Sequence, residues 1–160
     1  MKTKRQKIVD AVAARMRGIS DADGFETDAG HRVEVWESRL DEKELAAEPS
    51  GCVLVVCDTM DEVSKESMHS RGSKHRLSFQ VRILRSKGTK DEQLRAVIGD
   101  VVAAVGQDIL WTEEATGKTL AMDTEPAQEG FVVPDEAMEI AAGAVAFTVV
   151  YATALFDPYQ

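Results

Sequence analysis

The sequence predicts an α+β fold: a single domain spanning residues 1–160, with a mostly antiparallel or mixed sheet of about four to five strands packed with two main helices. Three observations carry this. The last long apolar run, Met138–Leu155, is apolar or small on both alternating rows. Arg76–Leu84 alternates strictly, with Leu77, Phe79, Val81 and Ile83 against Arg76, Ser78, Gln80 and Arg82. Two segments, Lys4–Gly18 and Thr89–Gly106, carry apolar residues at helical spacing.

In the terminal run, Val145, Phe147, Val149 and Tyr151 fall on one row, and Ile140, Ala142, Ala144, Ala146 and Val150 on the other. β-Branched and aromatic residues fit a strand. A strand apolar on both rows belongs inside a covered sheet or at a subunit contact. A bend or bulge is expected near Ala142–Gly143 because a straight strand of that length would outrun a small domain. An Ala-rich helix over Glu136–Ala146 is the alternative. The run is expected to pair with Arg76–Leu84 or with Cys52–Cys57.

In the first helix Ile8, Val12, Met16 and Ile19 share a face, and Gly18 or a residue just beyond it marks the stop. Asp21–Gly30 reads as a loop, Arg32–Trp36 as a short strand and Leu40–Ala47 as one exposed helical turn ended by Pro49–Ser50–Gly51. Cys52–Cys57 reads as a buried strand. The odd spacing of its two cysteines sends them to opposite faces, so they cannot bridge and are expected to be buried free thiols, as in a reducing compartment. In the second helix Thr89 and Glu92 form a capping box, Leu94, Val97, Ile98, Val101 and Val105 form the stripe, and Gly106 stands at the stop. A strand at Thr119–Asp123 is possible. Phe131–Val133 is too short to assign. No Asn occurs, so the turns lean on Gly, Asp and Ser.

The 160 residues carry a net charge of −9. Met1–Ser20 holds six bases, Lys2, Lys4, Arg5, Lys7, Arg15 and Arg17, against Asp10. Gln107–Glu139 holds nine acids against Lys118. Such a balance argues against a nucleic-acid reader. No long uncharged apolar segment and no signal-peptide layout is visible, so a cytosolic site of synthesis and no membrane are expected.

Motifs for chemistry fail on spacing. Gly117–Lys118–Thr119 resembles the end of a phosphate loop, but Thr112 stands where the first glycine is required. Asp21–Ala22–Asp23–Gly24 echoes a calcium loop, but Ile19 and Gly30 occupy its first and last ligand positions. His31, His69 and His75 have no zinc spacing with each other or with the cysteines. Glu113–Glu114 reads as a solvated turn. No catalytic, metal or cofactor site is expected, and no enzyme.

Two features exceed a bland reading. Asp58–Lys74 is a long segment without a core pattern between two strands, expected to be a flexible loop over about residues 58–75. Met60, Val63, Met68, His69, Arg71 and Lys74 are its candidate contacts with a neighbour; a floppy hairpin tip is the competing reading. The basic first helix (Lys4, Arg5, Arg15 and Arg17) and the acidic late segment (Glu113, Glu114, Asp123 and Glu125) together suit a head-to-tail contact between identical subunits.

The element order, with His31–Arg39 after the first helix, Cys52–Asp58 as the buried strand, the capped helix running into Gln107–Asp108–Ile109, and the ending Ala146–Thr153 with Asp157–Pro158–Tyr159, resembles the phage tail terminator proteins that cap the tail tube. The Leu-Pro-Ala usual before that strand is Pro49–Ser50–Gly51 here. The resemblance implies an α+β subunit in a homo-oligomeric ring of six, with Glu113, Glu114, Asp123 and Glu125 as candidates for the wall of a lumen that DNA only passes through. It implies a cap that stops tube polymerisation, contacts the tail tube protein and offers the head connector or completion protein a surface. It places the protein in the virion tail, and in the host cytoplasm during assembly. A head-completion or connector protein, and a cytosolic acidic binding protein of unknown ligand, are the alternatives.

Overall fold

The computed structural model describes residues 1–36, 42–65, 71–86, 91–132 and 140–160. Its three helices are α1 (Lys4–Arg17), α2 (Glu42–Ala47) and α3 (Asp91–Gly106). Its strands are β1 (Val33–Val35), β2 (Cys52–Lys65), β3 (Gly72–Ser86), β4 (Thr112–Glu113), β5 (Lys118–Thr119), β6 (Asp123–Val132) and β7 (Ile140–Ala154). The main sheet has the order β1-β2-β3-β7-β6, and β4-β5 form a separate small ribbon. Among the described strands only β1–β2 is parallel; the other pairs are antiparallel. The expected α+β class and mixed sheet are what the structure has.

α1 starts where Thr3 accepts a hydrogen bond from Gln6 N–H at 3.1 Å, so the side chain satisfies a donor that the first turn leaves open. Ile8, Val9, Val12, Ala13 and Met16 are buried on the sheet side. Gly18 ends the helix in a right-handed conformation (φ −79°), not the left-handed one usual for a glycine stop. The glycine that the packing does require is Gly30. A Cβ there would lie 2.5 Å from the Met16 carbonyl and 2.7 Å from that of Arg17. Its own N–H donates to the Ile19 carbonyl at 2.9 Å. In α3, Leu94, Val97, Ile98, Val101 and Ala104 face the sheet, while Val105 is only half-buried. The capping residue expected for this helix, Thr89, lies outside the described residues.

The centre of the sheet is β3 against β7, each 15 residues long and paired in unbroken register from Gly72↔Ala154 to Ser86↔Ile140. The bend expected at Ala142–Gly143 is therefore absent from this pairing. The bulges sit instead in the flanking strands, between Asp58 and Met60 on β2 and between Pro126 and Gln128 on β6. Both fall on one row across the sheet, Asp58–Phe79–Phe147–Pro126. A bulge relieves register strain by bending and twisting its own strand, so the two central strands stay regular.

α1 and α3 cover one face. Their core contains Leu54, Val56, Leu77, Phe79, Val81, Val145, Phe147, Val149 and the buried Trp111. Phe79 stacks on Phe147 with ring centroids 5.3 Å apart, and Trp111 stacks on Phe147 at 5.9 Å. The opposite face has a smaller core under α2, made by Leu45, Val53, Val55, Cys57 and Leu84. α2 was expected as an exposed turn, but its Leu45 is fully buried. Cys52 and Cys57 belong to the two different cores, as their odd spacing requires, and both are free.

The expected loop over 58–75 is corrected at both ends, residues 66–70 lying outside the described residues. Asp58–Lys65 continues β2 and pairs residue by residue with Ser73–Phe79 of β3. The segment has no core pattern because both of its faces are wet, and because the bulge reverses which residues point to which face. β6 was missed for a related reason. DTEPAQEGFV carries acids, a proline and a glycine, residues that strands avoid except at an edge, where β6 lies.

Phe147 is the middle ring of the stack and 2% exposed. Phe147→Ala is expected to cost ~3–5 kcal/mol in denaturant unfolding; a loss below about 1 kcal/mol would mean that the stack does not hold the layers together. Burial pushes the Cys52 thiol up to about 11 and the Cys57 thiol in the same direction. The folded protein should therefore resist an aromatic disulfide reagent at pH 8, with both thiols reacting on unfolding. Rapid labelling without unfolding would contradict the burial of both strand faces.

Candidate assembly interface

Among the described residues, no group of three or more His, Cys, Asp or Glu side chains is arranged to hold a metal ion, and no helix is long and apolar enough to cross a membrane. What the surface offers is strand edge, fixed charge and exposed apolar side chains.

The candidate contacts over 58–75 that are described fall on or beside a two-stranded arm. Met60 and Val63 are 59% and 60% exposed on β2. Met60 lies opposite Ser78 and shares the face that carries Lys74 and Arg76; Val63 lies opposite His75 on the helix-side face. Arg71 is exposed, and its carbonyl accepts the Leu155 N–H at 2.6 Å. Met68 and His69 lie outside the described residues. Because β1 covers only Leu54–Val56, the outer edge of β2 from Asp58 onward has no strand neighbour among the described residues. β6 is the other edge.

A polar cluster anchors the arm on its helix side. Tyr151 hydroxyl donates to Asp61 at 2.8 Å. His75 Nδ1 lies 3.2 Å from the Asp61 carboxylate, its Nε2 lies 2.9 Å from Thr153 Oγ1, and its ring stacks on Tyr151 at 4.4 Å. Burial and the Asp61 acceptor push the Tyr151 phenol well above its ordinary range. Asp58, on the bulge row, receives Arg5 at 2.6 Å and the Trp36 indole N–H at 2.6 Å, so one carboxylate ties α1, β1 and β2 together. None of this was legible as a cluster, since its members are scattered through the chain.

The bases of α1 make ion pairs within the chain. Lys7 meets Glu113 at 3.4 Å, and Arg15 meets Asp108 at 3.4 Å while lying 4.9 Å over the Trp111 ring. Lys4 donates to the Ala152 carbonyl at 2.7 Å; burial and Lys118 lower its pKa. Arg17 is exposed at the last turn. The four candidate acids do not form one patch. Glu113 and Glu114 lie at the β4–β5 ribbon beside α1, whereas Asp123 and Glu125 lie on the open face of β6, opposite Val150 and Thr148. Glu125 forms a two-pronged ion pair with Arg76.

Exposed apolar side chains, which also include Trp36 and Met122, stand out at two further places. The first is a groove of about 470 Å³ between α3 and β6. Its floor is Val145 and Phe147, and its walls are Val102, Val105 and Ile109 on one side and the bulge at Pro126–Ala127 on the other. Val102 and Ile109 are 43% and 45% exposed, and Glu129 stands among the lining residues. The second is Phe156, 95% exposed in the turn after β7. Its φ of +60° lies in the left-handed region, which costs of order 1–3 kcal/mol for a side chain of this kind. The turn is held by Asp157 N–H on the Ala154 carbonyl at 3.0 Å and by Lys4 N–H on the Pro158 carbonyl at 2.8 Å.

Burial opposes ionisation of Asp108. The N–H groups of Thr112 and Leu110, the Thr112 hydroxyl and the Arg15 charge outweigh it, and they hold the carboxyl below its usual range. A depressed pKa contributes stability above the ordinary carboxylate range, near pH 4, and that contribution is lost as pH falls through the folded value. Asp108→Asn is thus expected to flatten the acid limb of the stability curve, read by urea unfolding from pH 6 to pH 3. An unchanged limb would show that other carboxylates govern acid unfolding.

No family model and no curated protein matches the chain. Among solved structures, it is similar to a chain of the virion of the native gene transfer agent (GTA) particle, with a TM-score of 0.59 and 10% identity, over 91% of this chain and 94% of that one. At that identity the likeness is one of fold, and it extends over nearly the whole of both chains.

Proposed function

We propose that this protein is a structural component of a phage-like virion, and that it works as a homo-oligomeric ring of six capping the tail tube. In this role it ends tube polymerisation and presents its other face to the head connector or completion protein. The observation that carries the reading is the whole-chain fold likeness to a virion chain, with both lengths covered almost completely. Two features of this chain support it. The surface offers strand edges and apolar relief, which suit association with other proteins. The net charge of −9 disfavours phosphate binding, as suits a lumen through which DNA only passes. The reading includes no catalytic step and no cofactor.

Light scattering after size exclusion, with negative-stain images of the same fractions, tests the reading. The expected result is a concentration-dependent species with six times the mass of one chain, seen as rings that bind the ends of purified tail tubes. A protein that stays monomeric at every concentration, with and without tubes, would overturn it.

A further inference from the structure

We propose that Phe156 is a knob that one copy of this chain inserts into the α3–β6 groove of the next copy, so that the subunits join head to tail. This inference rests on the ring reading above and names the contact that closes the ring.

The knob is built to stay out. A bulky aromatic side chain is almost wholly in water, on backbone that L-residues avoid, in a turn tied to β7 and to the start of α1. Strain of this kind persists only where the surroundings enforce it, and it cannot arise from burial of a ring that buries nothing. The hole is equally unpartnered. Its floor and helix wall are apolar, and about 470 Å³ is room for an aromatic side chain.

The two cannot meet within one chain. The groove floor is Val145 and Phe147 on β7, and Phe156 follows the far end of the same strand. Roughly 25 Å of extended backbone separates Phe147 from the turn. β3 holds that backbone straight through continuous pairing. A second copy is therefore the occupant that the chain itself supplies. Knob and hole are different patches, so the contact is heterologous: it closes into a ring when the rotation closes, and runs on as a filament when it does not. Charge agrees with the direction. Arg71 is exposed next to the knob turn, to which its carbonyl is bonded, and Glu129 is exposed at the groove. Docking brings base to acid across the contact.

The test uses the full chain. Phe156→Ala and Val102→Glu should each weaken association roughly 30-fold or more, the loss expected of a buried aromatic anchor. Thermal unfolding of the monomer should stay unchanged, because both side chains are exposed. Arg71→Glu should weaken association, and adding Glu129→Arg should restore it. In a chain carrying both Phe156→Cys and Val102→Cys, oxidation should link each copy to two others. A denaturing gel would then show a ladder ending at the ring number, with little background from the buried Cys52 and Cys57. If the wild type assembles and Phe156→Ala and Val102→Glu assemble equally well, or if the ladder is missing, the knob is wrong while the ring reading stands. If the wild type never assembles, both fall.

Discussion

Everything in this structure hangs on the pairing of β3 with β7. The two strands are adjacent in the sheet although far apart in the chain, and they run together without a register shift over their full length. Such a contact has a high loop-closure cost and is formed only if the side chains it aligns contribute enough. The row Phe79–Phe147, with Trp111 stacked beyond and Arg15 over the indole, is where that contribution concentrates. Aromatic pairs in this offset arrangement add ~0.5–1.5 kcal/mol beyond the area they bury. A slip by one residue would turn Phe147 and its row to the opposite face, so the same stack that stabilises the sheet also fixes its register.

The flanking strands absorb what the central pair refuses. β2 and β6 each bulge on the aromatic row, one at Asp58–Met60 and the other at Pro126–Gln128. On β2 the bulge row presents Asp58 to Arg5 and Trp36, which ties the helix layer to the sheet at the level where the arm begins. On β6 the bulge forms a wall of the groove, leaving Val102 of α3 and Ile109 just beyond it without a complete cover. Bulges next to a rim or a site re-aim side chains and end pairing, and here both outcomes appear on one row.

The charge asymmetry between the ends of the sequence has a partly internal explanation. Lys7–Glu113 and Arg15–Asp108 bring the basic helix and the acidic segment together within one chain. Both pairs are half-buried, and they help to set which surfaces of the chain face each other. Of the charges singled out in the sequence, that leaves Arg17, Arg71, Glu114 and Asp123 exposed and outside those pairs, and the structure adds Glu129.

The sequence by itself determined the class, the two long helices, the cores of β2 and β3, the burial of both cysteines on opposite faces and the strand character of the chain's end. Each of these rests on a periodicity that survives without knowledge of the partner: 3.6 residues for a helix packed on one side, two for a strand half in water. Tertiary structure decided the rest. Asp58–Lys65 and Asp123–Val132 are strands only because β3 and β7 lie beside them; their own residues favour loops. Asp100, which interrupts the apolar run of α3, is buried because Glu26 and Thr27 N–H groups and the Thr27 hydroxyl converge on it from a distant loop. Of the candidate interface, the exposed Met60, Val63 and Arg71 were legible as residues too polar in context to form a core. Phe156 and the groove were not, because only the path of the backbone after β7 turns that ring out into water.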